Sequence, residues 1–123
     1  MVVKALVFIV GLSNVFAGAV VLLAPRWFFD NIGNFPPFSR HYLGDAGAYI
    51  LPLGIALLIA ARDPLKYRSL IYLGAGAGLL HFLNHVYGSV TAHESWAVAG
   101  AVGIQAVAMI YAAIVVRPAR LPS

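Results

Sequence analysis

Long apolar runs separated by short polar segments dominate the chain. Four runs are long enough to cross a bilayer as helices, at residues 2–24, 41–61, 69–87 and 96–116. A hydrocarbon core about 30 Å thick is crossed by roughly 20 helical residues. Pro25, Pro64 and Pro118 follow the first, second and fourth runs, where proline stops a helix. The pattern predicts an all-α fold, a four-transmembrane-helix bundle, with residues 1–123 forming a single integral membrane domain.

The first run has a second interpretation. Lys4 precedes an apolar stretch, and the small residues "AGA" at 17–19 are similar to a signal-peptide cleavage site. The apolar run continues past that point through "VVLLA", which favours an uncleaved span.

Composition agrees with a membrane protein and excludes several other classes. The chain is 62% hydrophobic and 10% charged, with a mean hydropathy of +0.89, so it has too little polar surface for a soluble domain. It contains no cysteine, which excludes disulfides, thiolate metal sites and cysteine nucleophiles. The net charge of +4 comes from short clusters between apolar runs rather than from a basic surface. We therefore expect the lipid bilayer as a partner and no nucleic acid.

The distribution of basic residues predicts the orientation in the membrane. With four spans, both termini and the 62–68 loop share one side. The basic residues on that side are Lys4, Arg62, Lys66, Arg68, Arg117 and Arg120, against Arg26 and Arg40 on the other. Cytoplasmic loops carry the excess of lysine and arginine, so both termini are expected in the cytoplasm and the protein in the plasma membrane as a multi-pass protein.

Residues 25–40, on the outer side, are aromatic. Tryptophan, phenylalanine and tyrosine side chains suit the headgroup region of a bilayer. This outer interfacial segment is predicted to lie on the leaflet as an anchoring belt, and the weaker alternative is a lid over a site. 

Two pairs of ionisable residues fall near the outer ends of the second and third runs. His41 and Asp45 are four residues apart, as are His81 and His85, so each pair shares one face of its helix. The two helices run in opposite directions, and the pairs overlap in depth when counted from the outer surface. An ionisable group in the hydrocarbon region costs on the order of 3 kcal/mol and normally faces the bundle interior with a partner.

The four side chains suggest a metal site. Imidazole and carboxylate are ligands of zinc, copper and non-haem iron, so His41, Asp45, His81 and His85 are predicted to hold a transition metal ion. Haem between two histidines is a weaker possibility, because Asp45 is an unusual neighbour for an axial imidazole. A structural hydrogen-bond network or a proton relay remains open, and His93 with Glu94 is interpreted as an ordinary polar loop.

Two uncharged polar residues are predicted to act in packing. Asn14 lies on a helix face with Gly11 and Gly18, and Gln105 lies on a stripe of alanines. Both positions are near mid-membrane, where such side chains form hydrogen bonds between helices.

Two segments carry a resemblance to known proteins: "RHYLGDAGAYILPLGIALLIAARDP" (40–64) and "HFLNHVYG" (81–88). Together with the span pattern they resemble a family of small four-helix bacterial membrane proteins of uncharacterised function, actinobacterial in type and similar to DoxX-like and DUF4345-like proteins. The resemblance covers roughly the middle half of the chain. It implies a bacterial inner membrane location and directs attention to the same two pairs of residues, but it supplies no activity.

Three functions remain open from the sequence. The first is a membrane protein that binds a transition metal at the outer leaflet. The second is a structural or accessory subunit of a larger membrane complex, or a homo-oligomer, in which the histidines act structurally. The third is a haem- or metal-dependent membrane oxidoreductase, and whether the protein is an enzyme is left undecided.

Overall fold

Five helices account for most of the chain in a computed structural model, which describes residues 1–33 and 35–117. They are α1 (Val2–Leu23), α2 (Pro25–Asn31), α3 (Arg40–Arg62), α4 (Arg68–Thr91) and α5 (Trp96–Val115). Helices α1, α3, α4 and α5 are long and antiparallel to their chain neighbours, whereas α2 is a short connection. Pro118, which entered the prediction of the last helix end, and Arg120, which entered the prediction of orientation, lie outside the described residues.

Local chemistry sets the helix boundaries. Pro25 occupies the first turn of α2, where its missing N–H costs no helical hydrogen bond. Ser39 caps α3, its hydroxyl accepting a hydrogen bond from the backbone N–H of Tyr42 at 3.2 Å. Helix α3 ends at Arg62, directly before Asp63 and Pro64 and one residue beyond the predicted end at residue 61. Helix α4 extends to Thr91, one turn beyond the predicted end at residue 87.

Glycines bring α1 and α3 into close contact. A Cβ placed on Gly54 would lie 2.5 Å from the backbone nitrogen of Val15, and one placed on Gly18 would lie 2.6 Å from the backbone nitrogen of Leu51. Gly11 and Gly47 also face the other helix across this interface. Such close backbone approach is typical of small residues in membrane helices. Helix α4 packs mainly on α5, and its contact with α3 is much smaller.

The bundle has two ends, which we name by what lies there. The terminal end holds the N-terminus, the α3–α4 connection and the end of α5; the α2 end holds α2 and the α4–α5 connection. The main apolar core occupies the terminal-end half, where Val7, Leu57 and Ile71 are almost completely buried. A smaller apolar cluster at the α2 end joins Val21 and Leu43.

Three of the four long helices are long and apolar enough to cross a membrane: α1, α3 and α5. By length and hydropathy, the described residues therefore contain three candidate spans rather than the four predicted from the sequence. Helix α4 has sufficient length, at 24 residues, but its glycines together with His81, Asn84 and His85 lower its hydropathy.

The aromatic segment divides between the bundle and its surface. Phe29 is buried as a member of the apolar cluster at the α2 end, and Phe28 and Phe38 pack against that cluster. Trp27 is exposed, as expected of an anchoring belt. The belt interpretation therefore fits only part of the segment, because several of its rings fill the end of the bundle instead.

Candidate metal centre

His81 and His85 contact each other directly on α4. Their Nε2 atoms are 3.0 Å apart, a hydrogen-bonding distance that requires one imidazole to donate and the other to accept. His85 is buried at 8% exposure, whereas His81 is exposed on one side. The i, i+4 spacing thus brings the two rings together, as the sequence predicts.

Glu94 lies on the other edge of the His85 ring. Its Oε2 is 3.9 Å from His85 Nδ1, and its side chain is partly buried. A carboxylate near Nδ1 favours the tautomer that carries the proton on that nitrogen and leaves the Nε2 lone pair free. In that tautomer His85 Nε2 accepts and His81 Nε2 donates, whereas the 3.0 Å distance by itself fits either direction.

The α4–α5 connection places Glu94 there by folding back over the end of α4. His93 has a positive φ of 55°, an uncommon backbone conformation for a residue other than glycine. The N–H of Glu94 donates to the carbonyl of Gly88 at 3.3 Å. A Cβ on Gly88 would overlap the Glu94 carboxylate, so the absent side chain at Gly88 makes room for it.

Two further residues surround the histidine pair. The ring of Phe35, from the segment between α2 and α3, is tilted against the His85 ring with centroids 5.8 Å apart. Ser89, next along α4, is buried, and its hydroxyl has no hydrogen-bond partner within the described part of the chain. Phe35 therefore covers part of the site, which agrees with the lid alternative for this one residue.

His41 and Asp45 form a separate pair on α3. His41 Nε2 is 3.4 Å from Asp45 Oδ2, and the side chains are 91% and 63% exposed. Among residues 1–33 and 35–117, no group of three or more histidine, cysteine, aspartate or glutamate side chains is arranged to hold a metal ion. The structure thus keeps the two predicted pairs apart.

Asn14 and Gln105 meet between α1 and α5. Asn14 Nδ2 donates to the Val10 carbonyl at 2.8 Å and to Gln105 Oε1 at 3.3 Å. The Ser13 hydroxyl lies 3.2 Å from the same Gln105 oxygen. The prediction that Asn14 and Gln105 form hydrogen bonds between helices is confirmed.

A small cavity of about 30 Å³ lies beside these residues at the centre of the bundle. All four long helices contribute to its wall. The polar residues lining it are Asn14, His81 and Gln105, and the remainder are Val10, Leu53, Leu57, Gly74, Gly78, Val102 and Met109. The cavity wall thus includes one member of the histidine pair, His81, together with Asn14 and Gln105.

Sequence reasoning missed Glu94 as a member of the site. It is the single glutamate of the chain and lies one residue before the serine that precedes α5. The sequence feature that could have indicated Glu94 is Gly88, six residues upstream and on the same helix face as His81 and His85. Gly88 meets Glu94 only because the chain reverses direction at His93, and residue spacing alone does not predict that turn.

Comparison with known proteins finds no significant similarity. No protein-family model matches the chain, and no curated protein or solved structure is significantly similar to it. The resemblance to small bacterial four-helix membrane proteins therefore stays a prediction.

Proposed function

We propose that this chain is a small integral membrane protein that crosses the bilayer four times and binds a transition metal ion at His81 and His85, with Glu94 orienting His85. The observation that carries the proposal is the 3.0 Å separation of the two Nε2 atoms. Two nitrogen ligands about 2.1 Å from an ion lie about 3.0 Å apart when they subtend a right angle and about 3.4 Å apart when tetrahedral. An ion can therefore replace the shared proton with little movement of either ring.

The contact with Glu94 supports this assignment. Histidine ligands commonly donate their second ring N–H to a carboxylate, which fixes the tautomer and increases the basicity of the ligating nitrogen. Glu94 Oε2 lies 3.9 Å from His85 Nδ1, longer than a hydrogen bond, so the carboxylate would take that position after moving about 1 Å toward the ring. His81 must move its proton from Nε2 to Nδ1 before it ligates, because only a free lone pair binds metal.

The site would be open rather than closed. Two imidazoles leave at least two coordination positions for water or another small ligand, since zinc and copper take four or more donors. Imidazole ligands suit zinc, copper and iron, the three ions expected from the sequence. His41 and Asp45 are outside this proposal because they form their own exposed pair.

Crossing of the membrane by α4 is supported by its length and its packing. Its 24 residues extend for about 36 Å, and it lies antiparallel to α5 along their shared interface. Its histidines lower its hydropathy, but His85 is buried inside the bundle and does not meet lipid. A polar residue that faces the bundle interior is compatible with a membrane span.

The orientation with both termini in the cytoplasm belongs to the same proposal. The exposed basic residues Arg62, Lys66 and Arg68 lie at the terminal end. At the α2 end, Arg26 is paired with Asp30 at 2.9 Å. The histidine site would then lie in the outer half of the membrane.

Metal content of the purified protein tests the function. Protein without a histidine tag is loaded with zinc or copper, desalted and measured by elemental analysis. We expect one ion per chain in the wild type, its loss in His81→Ala and His85→Ala, and its retention in the matched controls His93→Ala and His41→Ala. Acidification should release the ion, because protons compete for the imidazole nitrogens.

Two outcomes contradict the proposal. Wild-type protein without metal, with only a small stability loss in both His81→Ala and His85→Ala, would identify the pair as a structural hydrogen bond. Loss of metal in His41→Ala would instead return the exposed α3 pair to the site.

A further inference from the structure

Two polar residues that line the central cavity have hydrogen-bonding atoms without a partner among the described residues. Both amide protons of Asn14 are engaged, one by the Val10 carbonyl and one by Gln105 Oε1. This arrangement fixes the Gln105 amide with its oxygen toward Asn14. Within residues 1–33 and 35–117, Gln105 Nε2 and Asn14 Oδ1 make no hydrogen bond, although both residues line the cavity.

The size of the cavity restricts what it can hold. A volume of about 30 Å³ has room for one or two water molecules, since one water needs about 10–15 Å³ on this measure. Apolar cavities of similar size stay dry, whereas polar ones hold water when two to four partners are available. Here three polar residues, Gln105, Asn14 and His81, are on the wall and can supply such partners.

We propose that this cavity is a binding site for water, or for a neutral hydrogen-bonding molecule of the same size, which links His81 on α4 to Asn14 on α1 and Gln105 on α5. The bound molecule accepts from Gln105 Nε2 and donates to Asn14 Oδ1. It extends the polar contacts of the histidine pair to the middle of the bundle. The inference does not depend on a metal ion, because every group it uses belongs to the protein.

Gln105 offers a direct probe, because it is the single glutamine in the chain. With selective ¹⁵N-glutamine labelling in a detergent micelle or nanodisc, its side-chain amide protons are identified without further assignment. We expect a nuclear Overhauser effect between these protons and a long-lived water in the wild type. Absence of this effect would overturn the proposal.

Two glycines on α4 supply a matched pair of variants. Gly78 lines the cavity, and a Cβ there comes no closer than 3.5 Å to Ala106, so Gly78→Ala adds a methyl group at the cavity wall without a clash. Gly76 has nothing within 4 Å of its added Cβ and lies outside the cavity. We expect the water signal to be lost or reduced at least several-fold in Gly78→Ala and unchanged in Gly76→Ala.

A second variant fills the cavity from another helix, so a rearrangement of α4 around position 78 alone cannot account for a loss of the water signal in both variants. Val102 also lines the cavity, and Val102→Leu adds one methylene from α5. Loss of the water signal in both Gly78→Ala and Val102→Leu supports the proposal. An undiminished signal in both variants would place the water elsewhere and overturn it.

Discussion

The two halves of the bundle solve the problem of helix packing by different means. The terminal-end half is held by an apolar core, in which Leu57, Ile71 and Met109 are at most 1% exposed. The α2-end half contains both of the buried polar residues found in the described part of the chain, His85 and Ser89. The main apolar core thus lies at one end of the bundle and the buried polar side chains lie at the other.

The same contrast separates the two helix pairs. Helices α1 and α3 pack through reciprocal glycines and leave no space between their backbones. Helix α4 meets α3 over a much smaller area, and the cavity and the exposed side of His81 lie in this looser region. The close α1–α3 pair is thus the tightly packed scaffold of the bundle, whereas α4, which carries the histidine pair, packs mainly on α5.

The largest expected effect comes from loosening the scaffold. Gly54→Ala places a methyl group against the backbone of Val15, which cannot move aside as a flexible side chain would. We expect a loss of about 1–3 kcal/mol in the free energy of unfolding, measured by denaturant titration in detergent. Gly44→Ala on the same helix meets nothing within 4 Å and should be neutral or slightly stabilising. Equal stability of the two variants would contradict the scaffold role of the α1–α3 contact.

The second effect concerns the polar half. Gly88→Ala displaces the Glu94 carboxylate from its place beside His85 without changing an ionisable group. We expect metal affinity to fall about 10-fold or more, as for other carboxylates that orient a histidine ligand. Competition titration with a chromogenic chelator measures the change.

Two controls sharpen that result. Gly76→Ala should leave the affinity unchanged, because it adds the same group on an open face of α4. Glu94→Gln should reproduce the loss while leaving Gly88 intact. Unchanged affinity in both Gly88→Ala and Glu94→Gln would remove Glu94 from the site.

A smaller loss of stability is expected from a change at Gln105, which lies between the two halves of the bundle. Gln105→Leu removes the acceptor used by Asn14 and Ser13, and hydrogen bonds of this kind within membranes contribute about 1 kcal/mol or less. Thermal unfolding should therefore show a modest loss of stability with metal content unchanged. Loss of metal at unchanged stability would assign Gln105 to the metal site instead of to packing.

The smallest effect is expected at Ser89. Its buried hydroxyl lacks a partner within the described residues, so the folded protein bears the cost of removing it from water. Ser89→Ala should change the free energy of unfolding by less than about 1 kcal/mol, toward greater stability. A clear loss of stability would mean that the hydroxyl has a partner, such as a bound water.

The sequence predicts a contact between two helices well where each partner is marked by its own pattern of depth and neighbouring small residues. Asn14 and Gln105 lie at equal depth on stripes of small residues, and their hydrogen bond follows from those two facts. Helix ends marked by proline are equally accessible to sequence reasoning. In each case the pattern that marks the residue, a stripe of small residues or a proline, is read within its own helix.

The described residues do not group Asp45 with the α4 histidines, and spacing along the chain does not specify how a helix is rotated about its axis. Gly47 and Gly54 turn their face of α3 toward α1. Asp45 is nine residues from Gly54, which at 100° per residue puts it on the opposite face. The matching seven-residue spacings of Gly11 with Gly18 and Gly47 with Gly54 contained this information, because both sets mark the faces that meet.

The extra turn of α4 determines how the sidedness of the protein can be measured. Ser89 falls in a polar stretch of the sequence, but it is buried at 4% exposure within that turn. A cysteine placed there would resist thiol reagents from either side of the membrane and would imitate a cytoplasmic position. Ala92 at the α2 end and Ser69 at the terminal end are both exposed. Single cysteines at these two positions, treated with a membrane-impermeant maleimide on intact cells, report the orientation directly: modification of Ala92→Cys alone is expected.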